Sequence, residues 1–267
     1  MSEILVDEPL AGVRRITLNA PERLNAFSFE MYERLAAILD SVRYDTKIRV
    51  VVLTGAGRGF CSGHHLGAAV PAGWTDPDLG PIHRDLYNML KIGQIPLAMR
   101  NLTQPVIAAV NGAAAGVGYA LALAADIAIA GESAKFVNAF HNVGIASEIG
   151  VTYLLARAVG SQRATEILMS SRTVLADEAA RIGMVARTVP DEKLMEDVLA
   201  LADDIIQSTP LGIWMTKQAL HLNESAGSYA EALELETRGV MLSRATEDTA
   251  EKRASRREKR RPVFRNR

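Results

Sequence analysis

An α/β fold is predicted from three features of the 267-residue chain. Short runs rich in β-branched residues alternate with stretches of good helix formers, the order that builds a sheet with helical crossovers. Two of those runs, RVVVLTG (49–55) and PVIAAVNG (105–112), open into small-residue loops, AGRGFCSGHHL (56–66) and AAAGVG (113–118). From residue 193 onward the pattern is helical only, which divides the chain into a core, 1–192, and a C-terminal helical region, 193–267.

Residues 4–6 and 13–18 read as strands around a turn at 9–12. NAPERLNAF (19–27) is a loop, and Ser28 is positioned to cap a helix over 29–42. The strand at 49–54 follows. The Gly/Pro-rich stretch 67–80 has no period and reads as a loop before a helix over 83–101. Beyond the strand at 106–110, an Ala/Leu-rich run forms a helix up to Asp126. Strands at 126–130 and 134–137 lead to a loop over 140–147, and Glu148 is expected to begin a helix. Helices at 161–169 and 176–182, the second closed by Gly183, precede a last strand at 185–189. The remaining helices fall at 193–207, 211–223, 228–242 and 249–259.

A hydrophobic fraction of 48% supplies one large core. The net charge of −1 gives no global basic field for nucleic acid, and the basic tail is set against a balanced remainder. Cys61 is the one cysteine, so no disulfide forms within the chain. MSEILVDEPL lacks the basic start and apolar core of a signal peptide, and no stretch approaches the ~20 apolar residues of a membrane span. A cytoplasmic protein with no membrane or nucleic-acid partner is expected. His64 and His65 are adjacent, without an evident third ligand, so no metal site is expected. No dinucleotide fingerprint or phosphate-loop lysine motif is present.

A strand, a small-residue loop and then a helix leave the first N–H groups of the helix unpaired, an arrangement that attracts an anion or a polarised carbonyl oxygen. Two strand ends of this kind can supply two donors to one oxygen. The pairing of NG-x-A-x-G-x-G (111–118) with FCSG-x-x-L (60–66) resembles the crotonase (enoyl-CoA hydratase/isomerase) superfamily, and the resemblance runs from the first strands to the C-terminal EKRRPVF.

That resemblance implies a crotonase (ClpP/crotonase-like) spiral of ββα units with a C-terminal α-helical appendage, assembled as a homotrimer or as a hexamer of two trimers. It implies an acyl-CoA substrate, with coenzyme A part of the substrate and no separate cofactor. The backbone N–H groups of His64 and Val117 match the two donors of the family's oxyanion hole, and Ser62, Gly63, His65, Leu66, Gly116 and Phe140 around them are expected to contact the substrate. The loop at 19–27 matches NxPxxxNAL, which makes Arg23 and Ala26 contacts of the adenosine and phosphates. The tail would bring Phe264, with a nearby arginine, to the adenosine of an adjacent subunit. Trp74, Tyr87 and Met89 fall in the region that shapes the acyl pocket.

The two glutamates of the family's hydratases are replaced here by Ala120 and Phe140, and neither can move a proton. Two-glutamate hydration is therefore not expected. Glu148 remains, at the position where 3,2-enoyl-CoA and dienoyl-CoA isomerases carry a catalytic carboxylate. A helix start would favour its ionised form, while burial among Ile145, Ala146, Ile149 and Val151 would raise its pKa. One such base suffices to move a proton between two carbons. Dehalogenases of 4-chlorobenzoyl-CoA carry a nucleophilic aspartate there, but the histidine their chemistry also uses falls near Gly93. The alternatives are hydration or hydrolysis of an unusual acyl-CoA, or a catalytically silent acyl-CoA-binding scaffold. The ring of His64 could face the acyl group; with no partner visible in sequence, His64, His65 and His141 are read as structural.

Overall fold

Strand pairs that divide themselves between two sheets build the molecule. The computed structural model describes residues 2–267. Strands β1 (Ile4–Leu10) and β2 (Val13–Leu18) form an antiparallel hairpin, followed by helix α1 (Phe29–Arg43). Then β3 (Val50–Gly55) runs into β4 (Gly59–Cys61) and α2 (Pro81–Arg100). The same step recurs as β5 (Val106–Val110), β6 (Ala113–Ala115) and α3 (Val117–Ala124), and again as β7 (Ile127–Gly131) and β8 (Lys135–Val137). The first strand of each pair joins a six-stranded sheet, in the order β1, β2, β3, β5, β7 and finally β10 (Arg187–Val189). The second strand joins a smaller sheet, β4, β6, β8 and then β9 (Thr173–Leu175). Neighbouring repeats pair in parallel, Val51 opposite Val106 and Ile107 opposite Ile127. This is the spiral of ββα units that the resemblance implies.

Parallel strands covered on both faces should be continuously apolar, and β3 and β5 are. Along them the side chains alternate between two cores. Val51, Leu53, Val106 and Ala108 pack on the side of α1 and α3, whereas Val50, Val52, Ile107 and Ala109 face the other way. That second face is sealed by Leu194, Val198 and Ala202, one stripe of α7 (Leu194–Ile206). Sequence periodicity groups α7 with the C-terminal helices, yet its apolar stripe covers the sheet. Ser28 caps α1, its hydroxyl accepting from the Met31 N–H at 3.2 Å, as the sequence predicts.

Three short strands, β4, β6 and β9, are absent from the sequence reading; three-residue strands are too short for an alternation to show. The helix expected to start at Glu148 instead starts at Val151 as α4 (Val151–Val159). Ile149 and Gly150 have φ of +57° and +77°, which no α-helical residue can adopt, so the turn is forced to close after Glu148. After α5 (Ser161–Ser170) and α6 (Ala176–Arg181), Gly183 at φ +84° ends the helix as expected.

The C-terminal helices α8 (Pro210–Asn223), α9 (Tyr229–Arg244) and α10 (Glu247–Glu258) are tied to the core by a buried ion cluster. The Lys217 ammonium, 5% exposed, donates to the carbonyls of Met99 (3.0 Å) and Gln104 (2.9 Å) and lies 2.8 Å from Asp126. His221 Nε2 lies 3.0 Å from the other Asp126 oxygen, and the Val106 N–H donates to the carboxylate at 2.7 Å. Burial alone would raise the Asp126 pKa, but His221 and Lys217 outweigh it and hold the carboxyl below the usual range. No helix among the described residues is long and apolar enough to cross a membrane.

Asp126→Ala strands the Lys217 charge in the core and is expected to cost about 3–5 kcal/mol in urea unfolding. Because the folded pKa of Asp126 is depressed, its contribution is complete above the unfolded pKa and is lost as pH falls through the folded value. The wild-type advantage over the variant should therefore shrink on acidification; an advantage independent of pH would show that the cluster is not ionised.

Candidate active site

Strands β4 and β6 pair in parallel, with Cys61 opposite Ala114, and each ends in a turn that only glycine accommodates. Gly63 has φ +111° and Gly116 φ +51°. The turns touch: a Cβ on Gly116 would sit 3.5 Å from the Gly63 Cα, and one on Gly63 would sit 3.8 Å from the Gly116 Cα. Two residues further, a Cβ on Gly118 would overlap the Cys61 carbonyl oxygen and meet the Cys61 Cβ at 2.7 Å. His64 and Val117 each follow one of the touching glycines. Among the described residues neither N–H donates to another group of the chain. Val117 is the first residue of α3, where the helix presents its positive end.

Two asparagines hold the backbone behind this pair. Asn25, fully buried, accepts from the Ala20 N–H and donates to the carbonyls of Ala56 (2.9 Å) and Gly59 (2.7 Å). Asn111 donates to the carbonyls of Gly55 (2.8 Å) and Gly57 (2.9 Å) and accepts from the Gly55 N–H. The motifs NA and NG thus carry amides that satisfy a loop unable to pair with a strand.

The His64 side chain has a partner that the sequence does not show. The Tyr32 hydroxyl lies 3.3 Å from His64 Nδ1, and the two rings are stacked with centroids 5.8 Å apart. Phe29 meets the imidazole edge-on at 5.2 Å and is itself packed on Trp74 at 4.9 Å. Burial, with the charge of His65 beside it, pushes the His64 pKa down. Burial raises the Tyr32 pKa, and the Glu148 carboxylate adds to the effect, so Glu148 shares this environment. Tyr32 escaped the sequence reading because it falls on the buried stripe of α1 and looks like any core residue.

Glu148 lies in the irregular segment before α4 and is half-buried, and burial pushes its pKa up. Among the described residues no cation pairs with it. Ile149, a β-branched residue in the left-handed region, stores strain on the order of 1–3 kcal/mol. Phe140 is 4% exposed, its ring 3.9 Å from where a Gly116 Cβ would be, and Ala120 is fully buried. Both wall the turn with apolar atoms.

The remaining candidates divide. Ala26 is buried, and the Ser62 hydroxyl donates to the Arg23 carbonyl at 3.0 Å. Arg23 itself is engaged within its loop by Glu3, by Glu22 at 3.0 Å and by the Ala26 carbonyl at 2.9 Å. Trp74 is buried, whereas Tyr87, Met89 and Leu66 are exposed. His65 is partly buried and His141 exposed. Phe264 stacks under Arg49, 5.3 Å away, and Asp248 accepts from the N–H groups of Arg265 and Asn266, folding the tail onto its own chain. Arg49 precedes β3 while the His64 loop follows it, so Phe264 and His64 lie at opposite ends of that strand. Among the described residues no group of three or more His, Cys, Asp or Glu side chains is arranged to hold a metal ion.

A family model described as enoyl-CoA hydratase/isomerase matches residues 8–267. A probable enoyl-CoA hydratase of Mycobacterium bovis is 44% identical over 270 residues, spanning 99% of this chain and 93% of that protein. The 1,2-epoxyphenylacetyl-CoA isomerase of Escherichia coli is 41% identical over 229 residues, 84% of each chain. The crystal structure of a probable enoyl-CoA hydratase/isomerase from Mycobacterium abscessus superposes with a TM-score of 0.90 at 39% identity, covering 99% of both chains.

Gly118→Ala forces β4 and α3 apart at the base of the donor pair. It is expected to cost about 1–3 kcal/mol in thermal or urea unfolding, the usual range for overpacking. An unchanged stability would mean that the two backbones are not in contact.

Proposed function

Because the chain belongs to the enoyl-CoA hydratase/isomerase (crotonase) family, we propose that it shifts a double bond within an acyl-CoA thioester, with Glu148 as the single acid–base group. The observation that carries this reading is a half-buried carboxylate with a raised pKa in a chain that has apolar Ala120 and Phe140, both buried, at the places where a hydratase of the family has glutamates. The thioester oxygen accepts from the N–H groups of His64 and Val117, which stabilise the negative charge that develops there; one such donor is worth roughly 3 kcal/mol. Glu148 removes a proton from C2 of a 3-enoyl chain, the electrons pass into the thioester as a dienolate, and the same carboxyl returns the proton to C4. The double bond moves to C2–C3, and no water or cofactor is consumed. Desolvation makes Glu148 basic enough for the first transfer and acidic enough for the second.

Hydration is the second reading, favoured by the name of the Mycobacterium bovis relative. It would leave Glu148 alone to activate the water and to protonate the enolate. Mass spectrometry of 3-enoyl-CoA and 2-enoyl-CoA esters incubated in heavy-oxygen water separates the two. Isomerisation without label, reduced by about 10²–10⁴-fold in Glu148→Ala, is expected; label in the acyl group overturns the isomerase reading. A variant that binds the esters unchanged yet still turns over would remove Glu148 from the mechanism. Only ionised Glu148 accepts a proton, so kcat/KM should fall on acidification. The midpoint should lie above the ordinary value of 4.5, because burial raises the folded pKa.

Assembly as a trimer or a hexamer of two trimers is part of the same reading. The α8–α9 hairpin leaves Leu220, Leu222, Leu233, Val240 and Met241 more than a third exposed, an apolar surface of the kind that a partner subunit covers. Sedimentation should give three or six copies, and Leu233→Glu with Val240→Glu should yield monomers; a monomeric wild type would end this part of the proposal.

A further inference from the structure

The ring of His64 is more constrained than a residue acting through its backbone requires. Tyr32 is 2% exposed, and among the described residues its hydroxyl has one polar neighbour, His64 Nδ1 at 3.3 Å. A buried hydroxyl proton needs an acceptor, and the Nδ1 lone pair is the one in reach. Were Nδ1 protonated instead, it could donate to the tyrosine oxygen, but the Tyr32 proton would then have no acceptor. The bond therefore leaves Nδ1 bare and sets the ring proton on Nε2. Burial keeps the pKa low, so the ring is neutral near pH 7. Stacking on Tyr32 and the edge contact with Phe29 prevent the ring from turning.

Nε2 has no hydrogen-bond partner among the described residues, although His64 is only partly buried and its ring is held on two sides. A rigid, neutral N–H donor thus stands one side chain away from the backbone N–H that would hold the thioester oxygen. Isomerisation of a plain hydrocarbon chain makes no use of such a donor. We propose that His64 is a specificity-determining residue: its Nε2–H, held in place by the Tyr32 hydroxyl, donates to a keto, ether or epoxide oxygen on the acyl group. The site accordingly favours oxygen-bearing acyl-CoA thioesters over plain alkyl or alkenyl ones. Tyr32 acts through His64 as a positioning residue. The inference rests on the acyl-CoA reading above, and it is independent of Glu148.

Binding of unreactive saturated esters tests it without turnover. Hexanoyl-CoA and its 4-oxo and 5-oxo derivatives would be titrated calorimetrically into the wild type, His64→Phe, His64→Gln and Tyr32→Phe. At least one oxo ester should bind the wild type about tenfold tighter than hexanoyl-CoA, the worth of one well-formed hydrogen bond. That ratio should fall to near one in His64→Phe, be partly kept by His64→Gln, whose amide still donates, and shrink in Tyr32→Phe. Nitrogen-15 spectra of the wild type should show His64 protonated on Nε2 with Nδ1 bare, and a mixture of tautomers in Tyr32→Phe. A wild-type ratio near one for both oxo esters overturns the inference, as does a ratio that His64→Phe leaves unchanged or an Nδ1–H tautomer in the wild type. These readings need no catalysis, so a failure of the Glu148 mechanism leaves them standing. If no ester binds at all, the acyl-CoA reading itself fails along with the inference.

Discussion

Backbone touches backbone between β4 and the turn into α3, and everything at the site depends on that contact. Gly63 and Gly116 meet in van der Waals contact with backbone angles that favour glycine, and where Gly118 lies over the Cys61 carbonyl the space of a Cβ is taken by main-chain atoms. A side chain at Gly118 would part the strand from the helix, and the loops that carry His64 and Val117 would move with them. The contact is local, but its cause is not. β4 and β6 pair in the small sheet only because β3 and β5 already lie side by side in the large one, each strand end delivering its loop to the same edge. The large sheet in turn is held from both faces, by α1 and α3 on one side and by α7 on the other.

Two unpaired N–H groups in a buried turn would normally be a cost. The chain confines that cost to His64 and Val117 and satisfies the rest: Asn25 and Asn111 take up the carbonyls of Gly55, Ala56, Gly57 and Gly59. Free donors beside a backbone held in this way are fixed before any ligand arrives.

The fold was legible because its signals are long or chemically distinctive. β3 and β5 are unbroken β-branched runs, Ser28 is a strong cap, and the glycines of 111–118 fall where the backbone requires them. What escaped was short or non-local. β4, β6 and β9 have too few residues to alternate. Tyr32 and His64 are far apart in sequence, and neither the helical stripe of α1 nor the glycine loop announces the other. The stripe of α7 reads as any amphipathic helix, and only the sheet it covers tells that it belongs to the core. The pairing of Lys217 with Asp126 joins a C-terminal helix to the end of α3, and it too is invisible in local pattern.

The largest difference between expectation and structure bears on the chemistry. A glutamate at the first turn of a helix would feel the positive end of the dipole, which opposes burial and holds the carboxyl acidic. Glu148 instead precedes the helix, and the left-handed pair Ile149–Gly150 turns the chain between it and α4. Ser147, bonded to the buried Asn138, anchors the segment on its other side. Desolvation is then the only influence on its pKa, and it acts upward. A carboxylate in an ion pair would gain from the dipole and a cation; on the proposed reading, a group that takes and returns a proton gains from having neither. The strain at Ile149 is consistent with that division, since a stability role would have been served at no strain by letting α4 begin three residues earlier.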